Sequence, residues 1–205
     1  MSKRLAVRLA VVATVVLCAR LAAAQDHKPD DEGFIRNWLM LAPFPLADDS
    51  GAAEQLDKQQ MKDEGKIRPK AGDTAQIGKN ERKWQAVAAK DYYIDFNETL
   101  GGRHENVLGY LVCYIDCPQE MKNVQLLMGS NDQAKVYVNG KEVVKFTDTR
   151  TIEKDSDKAE GVTLNRGSNL IVFKVINEVN NWQACLRLKK SDGSVIKDFT
   201  VKLAE

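Results

Sequence analysis

Histidine is nearly absent from the 205 residues: His27 and His104 are the only two. A zinc site built on imidazoles, or a Ser-His-Asp or Cys-His centre, would have to rest on one loop histidine. No H-E-x-x-H and no glycine-rich phosphate loop occurs. Four cysteines are too few for a disulfide-built scaffold of this length. Charge of one sign is also missing, since 30 Lys and Arg face 29 Asp and Glu. That balance excludes a simple electrostatic nucleic-acid binder. Beyond residue 24 no apolar run approaches the roughly 20 residues of a spanning helix.

What is present begins with an expected leader. Lys3, Arg4 and Arg8 precede an apolar run over 9–19, and Ala22, Ala23 and Ala24 form a small-residue cleavage site. Residues 1–24 read as a secretory signal peptide, so the mature protein is expected to be secreted or periplasmic. The leader holds four of the basic residues and no acid, so the remaining chain carries a formal charge of −3. Cys113, Cys117 and Cys185 remain. On an extended strand Cys113 and Cys117 stand roughly 13 Å apart, too far to bridge.

Residues 25–33 are polar and expected to be a flexible start. Residues 34–41 read as a buried opening strand ended by Ala42, Pro43, Phe44 and Pro45. The stretch 48–83 is polar and glycine-containing and reads as an insertion or cover on a single domain over 34–205. Asp48, Asp49, Ser50 and Gly51 are placed to cap a short helix over 52–62, with Leu56 and Met61 as its apolar contacts.

From Trp84 onward strand patterns are dense, at 84–87, 92–96, 107–117, 123–128, 134–138, 142–146, 161–164, 170–176, 182–189 and 195–203. Asn139-Gly140 between two alternating runs is a strong hairpin signal, because both turn positions need positive φ. Short strands at near-regular spacing with almost no helical period predict an all-β protein, an antiparallel β-sandwich with a short helix in its N-terminal insertion.

Several runs match a known style of module. Ile35, Trp38, Leu39, Pro43, Phe44 and Pro45 resemble an "I-x-x-W-L-x-x-G-P-F-P" opening, with Ala42 in place of Gly. Residues 129–143 resemble a "G-S-D-D-x-x-K-V-W-x-N-G-K-x-V" hairpin, with Asn131 in place of the first Asp. Residues 164–175 resemble "L-x-x-G-x-N-x-L-x-x-K-V", and 182–188 a closing "W-x-x-x-x-R-L". Together they resemble the galactose-binding-like jelly roll of secreted bacterial proteins, similar in style to sugar-binding domains and carbohydrate-binding modules. The resemblance covers most of 34–190 and implies the fold more than any activity.

Carbohydrate binding needs exposed aromatic faces beside polar side chains. Trp182 follows Asn177, Glu178, Asn180 and Asn181, and Trp84 follows Asn80, Glu81 and Arg82. Tyr92 and Tyr93 are adjacent, so one should face out on a strand. Trp84, Tyr92, Asn180, Asn181 and Trp182 are therefore the candidate ligand residues. The competing reading puts both tryptophans in the core. Asn131 and Asp132 offer hard oxygen donors for a structural calcium, against the competing use of Asn and Asp as turn formers. The expected function is a non-catalytic module for a glycan or similar polar ligand, with no nucleic-acid partner and no other cofactor. The alternatives are a structural or protein-interaction domain on the same scaffold and, behind it, a glycoside hydrolase, whose carboxylate separation no sequence gives.

Overall fold

The computed structural model describes residues 25–46 and 51–205. The expected leader at 1–24 and the expected cap residues Asp48, Asp49 and Ser50 lie outside the described residues. The strands are β1 Asn37–Pro45, β2 Thr74–Ile77, β3 Asn80–Lys83, β4 Gln85–Ala88, β5 Ile94–Asp95, β6 Val107–Cys117, β7 Met121–Ser130, β8 Ala134–Val138, β9 Lys141–Phe146, β10 Asp157–Leu164, β11 Gly167–Asn177, β12 Gln183–Lys189 and β13 Thr200–Lys202. Two short helices, α1 Ala52–Asp57 and α2 Phe96–Leu100, and a 3-10 turn at Glu64–Lys66 complete the described elements.

One sheet runs β4-β1-β6-β11-β8-β9, with β13 sharing the β1 side of β6. The other runs β10-β7-β12-β5, and β2 and β3 form a separate hairpin. Every pairing is antiparallel. The two main sheets pack as the expected sandwich. Among the described residues no helix is long and apolar enough to cross a membrane.

The long strands β6 and β11 are buried along almost their whole length. Both faces of their sheet are covered, which explains their nearly unbroken apolar runs. On the inner face, a Cβ added to Gly109 would meet Ala42, Trp182 and Phe96 at 2.8–3.1 Å. Only glycine admits that approach. On the outer face, the hydroxyls of Tyr110 and Tyr114 reach Glu64 and the Pro69 carbonyl, each at 2.7 Å. The segment expected to be a cover therefore lies on the larger sheet.

Several boundaries differ from the sequence reading. The opening strand starts at Asn37 and continues to Pro45. Its register shifts between Leu41 and Phe44, and Pro43 sits in that irregularity, where a missing ladder donor is tolerated. Residues 25–33 are tied down, because His27 exchanges both backbone bonds with Val201 at 2.9 Å. Helix α1 stops at Asp57, since the Lys174 ammonium takes the Leu56 and Lys58 carbonyls at 3.1 and 2.7 Å. The β2–β3 hairpin has little strand pattern in the sequence, because its residues are mostly polar and half of them are exposed. The Asn139-Gly140 hairpin forms as read, with φ of 51° and 85°. Cys113, Cys117 and Cys185 are buried and free, and burial pushes all three thiols up.

Candidate functional site

Three connections meet at one end of the sandwich: the β7–β8 turn at 131–133, the β11–β12 turn at 178–182, and the stretch from β5 through α2 to β6. Their backbones are bound to one another. Asp132 takes a left-handed φ of 52°, and its Oδ2 accepts the Glu178 N–H at 2.9 Å. Asn131 N donates to the Gln183 carbonyl, and Ile176 N to that of Gln133, both at 2.9 Å. Gln133 Nε2 donates to Glu178 Oε1 at 3.0 Å, and Asn177 Nδ2 to the His104 carbonyl at 2.6 Å. Asp95 caps α2 through the Glu98 N–H at 2.9 Å.

Among the described residues, six buried side-chain polar atoms have no hydrogen-bond partner, and five of them belong to this end: His104 Nε2, Asn131 Oδ1, Gln133 Oε1, Asn177 Oδ1 and Trp182 Nε1. Buried polar groups are normally satisfied, so such a concentration marks the region. Two surface depressions flank α2, and Glu98 lines both. The larger, about 510 Å³, is lined by Asn97, Gly101, Gly102, Arg103, Asn180 and Asn181 besides Glu98. The smaller, about 260 Å³, is lined by Tyr93, by the apolar Val87, Ala88 and Ala89, and by Lys90, Asp91, Asp95, Glu98 and Thr99.

The candidate residues fare differently. Asn180 and Asn181 both line the larger depression. Asn180 is fixed in a left-handed turn, with its N–H on Glu105 Oε1 at 3.0 Å and its Oδ1 taking the Arg103 guanidinium at 2.9 Å. That N–H and Arg103 hold the Glu105 carboxyl below its ordinary value. Trp182, proposed as an exposed stacking face, is fully buried, stacked on Phe96 at 4.2 Å and 12°. Trp84 is corrected in the same way. It is 4% exposed, and its backbone is bonded to Gly72 and Asp73 of the cover. Both indoles fill the core because large apolar rings at sheet margins close the sandwich.

Tyr92 is half-buried between Phe34 at 5.3 Å and Tyr93 at 4.9 Å, with the Lys154 ammonium 4.5 Å from its ring centre. Its neighbour Tyr93 is the one that reaches the depression. Asn131 and Asp132 are buried in a turn. One Asp132 oxygen serves the Glu178 backbone, which is the turn-forming use, while Asn131 Oδ1 is left without a partner. Among the described residues no group of three or more His, Cys, Asp and Glu is placed to hold a metal. Gln133, Asn97 and Arg103 also belong to this end. Their only signal was a place in polar loops.

A second polar concentration lies under the cover. Glu64 and Lys174 are both fully buried, 3.3 Å apart. Glu64 also accepts the Tyr110 and Tyr137 hydroxyls at 2.7 and 3.1 Å. Burial outweighs Glu64 and pushes the Lys174 ammonium down to about 8. An unfolded lysine keeps its proton to about pH 10.4. Between about pH 8 and 10 the unfolded chain thus binds more protons here than the folded one, so the Lys174 contribution to stability rises with pH. Relative to a Glu64→Gln/Lys174→Met double variant, wild-type stability should climb by about 2 kcal/mol from pH 7.5 to 10 in urea titrations. A constant difference would contradict the desolvated ammonium. Above about pH 10 ionisation of unfolded tyrosines acts the other way, because the hydroxyls of buried Tyr110 and half-buried Tyr137 are pushed up.

No protein-family model and no curated protein matches the chain. Among solved structures it is similar to a beta-glucuronidase of Faecalibacterium prausnitzii, with 16% identity and a TM-score of 0.43 over 75% of this chain and 23% of that one. It is also similar to the GH31 alpha-xylosidase of Xanthomonas citri, with 12% identity and a TM-score of 0.28 over 62% of this chain and 15% of that one. The chain thus spans less than a quarter of either neighbour. Both likenesses are too distant to carry a function.

Proposed function

We propose that the chain is a non-catalytic binding module, a jelly roll of galactose-binding-like kind, that holds a carbohydrate or similar hydroxyl-rich ligand at the loop end of the sandwich. The observation that carries this reading is the pair of surface depressions flanking α2, at the end of the sandwich whose loops also hold five unpartnered buried polar atoms. Hydroxyl-rich ligands need oriented donors and acceptors with an apolar ring for stacking. Tyr93 supplies the ring, in the place first given to the tryptophans, and Asp91, Asp95, Glu98 and Thr99 supply the oxygens.

Titration calorimetry against a panel of neutral oligosaccharides should find a binder. Tyr93→Ala should weaken it at least about tenfold, the share of one stacked aromatic, with little loss of stability. A flat response across the panel, or full binding by Tyr93→Ala, would overturn the reading. Turnover of a chromogenic glycoside would overturn its non-catalytic part.

The module acts outside the cytoplasm in this reading, after cleavage behind Ala24. Intact-mass measurement of the exported protein should give Gln25 as its first residue. Retention of residues 1–24 would contradict this.

A further inference from the structure

The Glu64 carboxylate receives four donors: the Tyr110 hydroxyl, the Tyr137 hydroxyl, the Lys174 ammonium and the Gln60 backbone N–H. Three of the four come from β6, β8 and β11. Their positions are set by sheet register, since Lys174 lies opposite both Tyr110 and Lys135. Lys135 and Lys145 on the same sheet hold Asp57 of the cover at 2.8 and 3.0 Å. The sheet thus offers ammoniums and phenols, and the cover offers carboxylates. The cover's own grip is slight. Between residues 52 and 67, Leu56 is its one fully buried apolar side chain, with Ala52 nearly so and Met61 and Ile67 only partly buried against the core, and α1 is six residues long without a side-chain cap. So short a helix has little stability of its own. Segments with few buried apolar contacts open first.

We propose that this sheet face is a carboxylate-binding site whose built-in occupant is Glu64, and that residues 52–67 open from it as one strap to admit a ligand carboxylate, that of a hexuronic acid. The choice of a sugar acid rests on the carbohydrate reading above, whereas the receptor itself does not. Two phenol donors and an ammonium form charge-assisted bonds with any carboxylate of that size.

The test uses the full chain. Glu64→Ala removes the occupant and leaves the three sheet donors. Sodium acetate should raise its melting temperature by about 5 °C or more beyond the effect of sodium chloride at equal ionic strength, and should not do so for wild type. Should Glu64→Ala fail to fold, Glu64→Gln keeps the volume, and its strap amides should exchange at least about tenfold faster than in wild type. In wild type, glucuronate should speed exchange of amides at 54–66 by about tenfold over glucose, with β6 and β11 unchanged. An equal acetate effect on variant and wild type, or an unchanged Glu64→Gln exchange rate, overturns the receptor. Strap exchange indifferent to glucuronate overturns the ligand. Tyr93→Ala should alter neither result, so failure at the loop end and failure here are distinguishable.

Discussion

Lys174→Met should lower the unfolding free energy by about 3–5 kcal/mol, the usual cost of breaking a buried ion pair from one side. Lys174 lies in β11 between Phe173 and Val175 and is fully buried, as is Glu64. Methionine fits the space, but Glu64 is then left as a buried carboxylate with only hydroxyl and backbone donors. The Leu56 and Lys58 carbonyls also lose their partner. Unpaired buried charge, more than lost attraction, sets the size of the effect. The Glu64→Gln/Lys174→Met double variant should therefore recover much of the loss. Chemical denaturation with unchanged slope measures both. A single-variant cost below about 1 kcal/mol would mean that water reaches the pair.

Trp182→Ala should cost a similar amount, about 3–5 kcal/mol. The indole is fully buried, stacks on Phe96 and lies at the position a Gly109 side chain would need. Strands on both sides hold that space open, so the cavity cannot collapse. Trp182→Phe should be much milder, because Nε1 has no hydrogen-bond partner to lose. Equal costs for Phe and Ala would show that the indole nitrogen matters after all, through a partner such as a buried water.

The sandwich was legible because β6, β8 and β11 carry dense β-branched and aromatic residues and because Asn139-Gly140 fixes one register. The β2–β3 hairpin was not, since Gln76, Asn80 and Glu81 show no apolar face. Lys174 carries a further signal: a lysine inside the otherwise apolar run 170–176 must find a buried partner, but Glu64, 110 residues away, is joined to it only by the fold. The loop end was half legible. Asn180 and Asn181 are exposed, because a polar turn stays at the surface. Trp182 is not, because position beside polar residues says nothing about which way a ring points. Tyr92 and Tyr93 were seen as a pair, and packing against Phe34 decided between them.

The measurement that tests the central claim most directly is amide chemical-shift mapping of the folded chain titrated with the neutral oligosaccharide panel. The account predicts perturbations at 91–106, 131–133 and 177–183, and none at the separate groove that Lys141, Glu142 and Val143 of β9 form with Lys158, Glu160 and Thr163 of β10. No perturbation with any sugar, or perturbation centred on that groove, would contradict it.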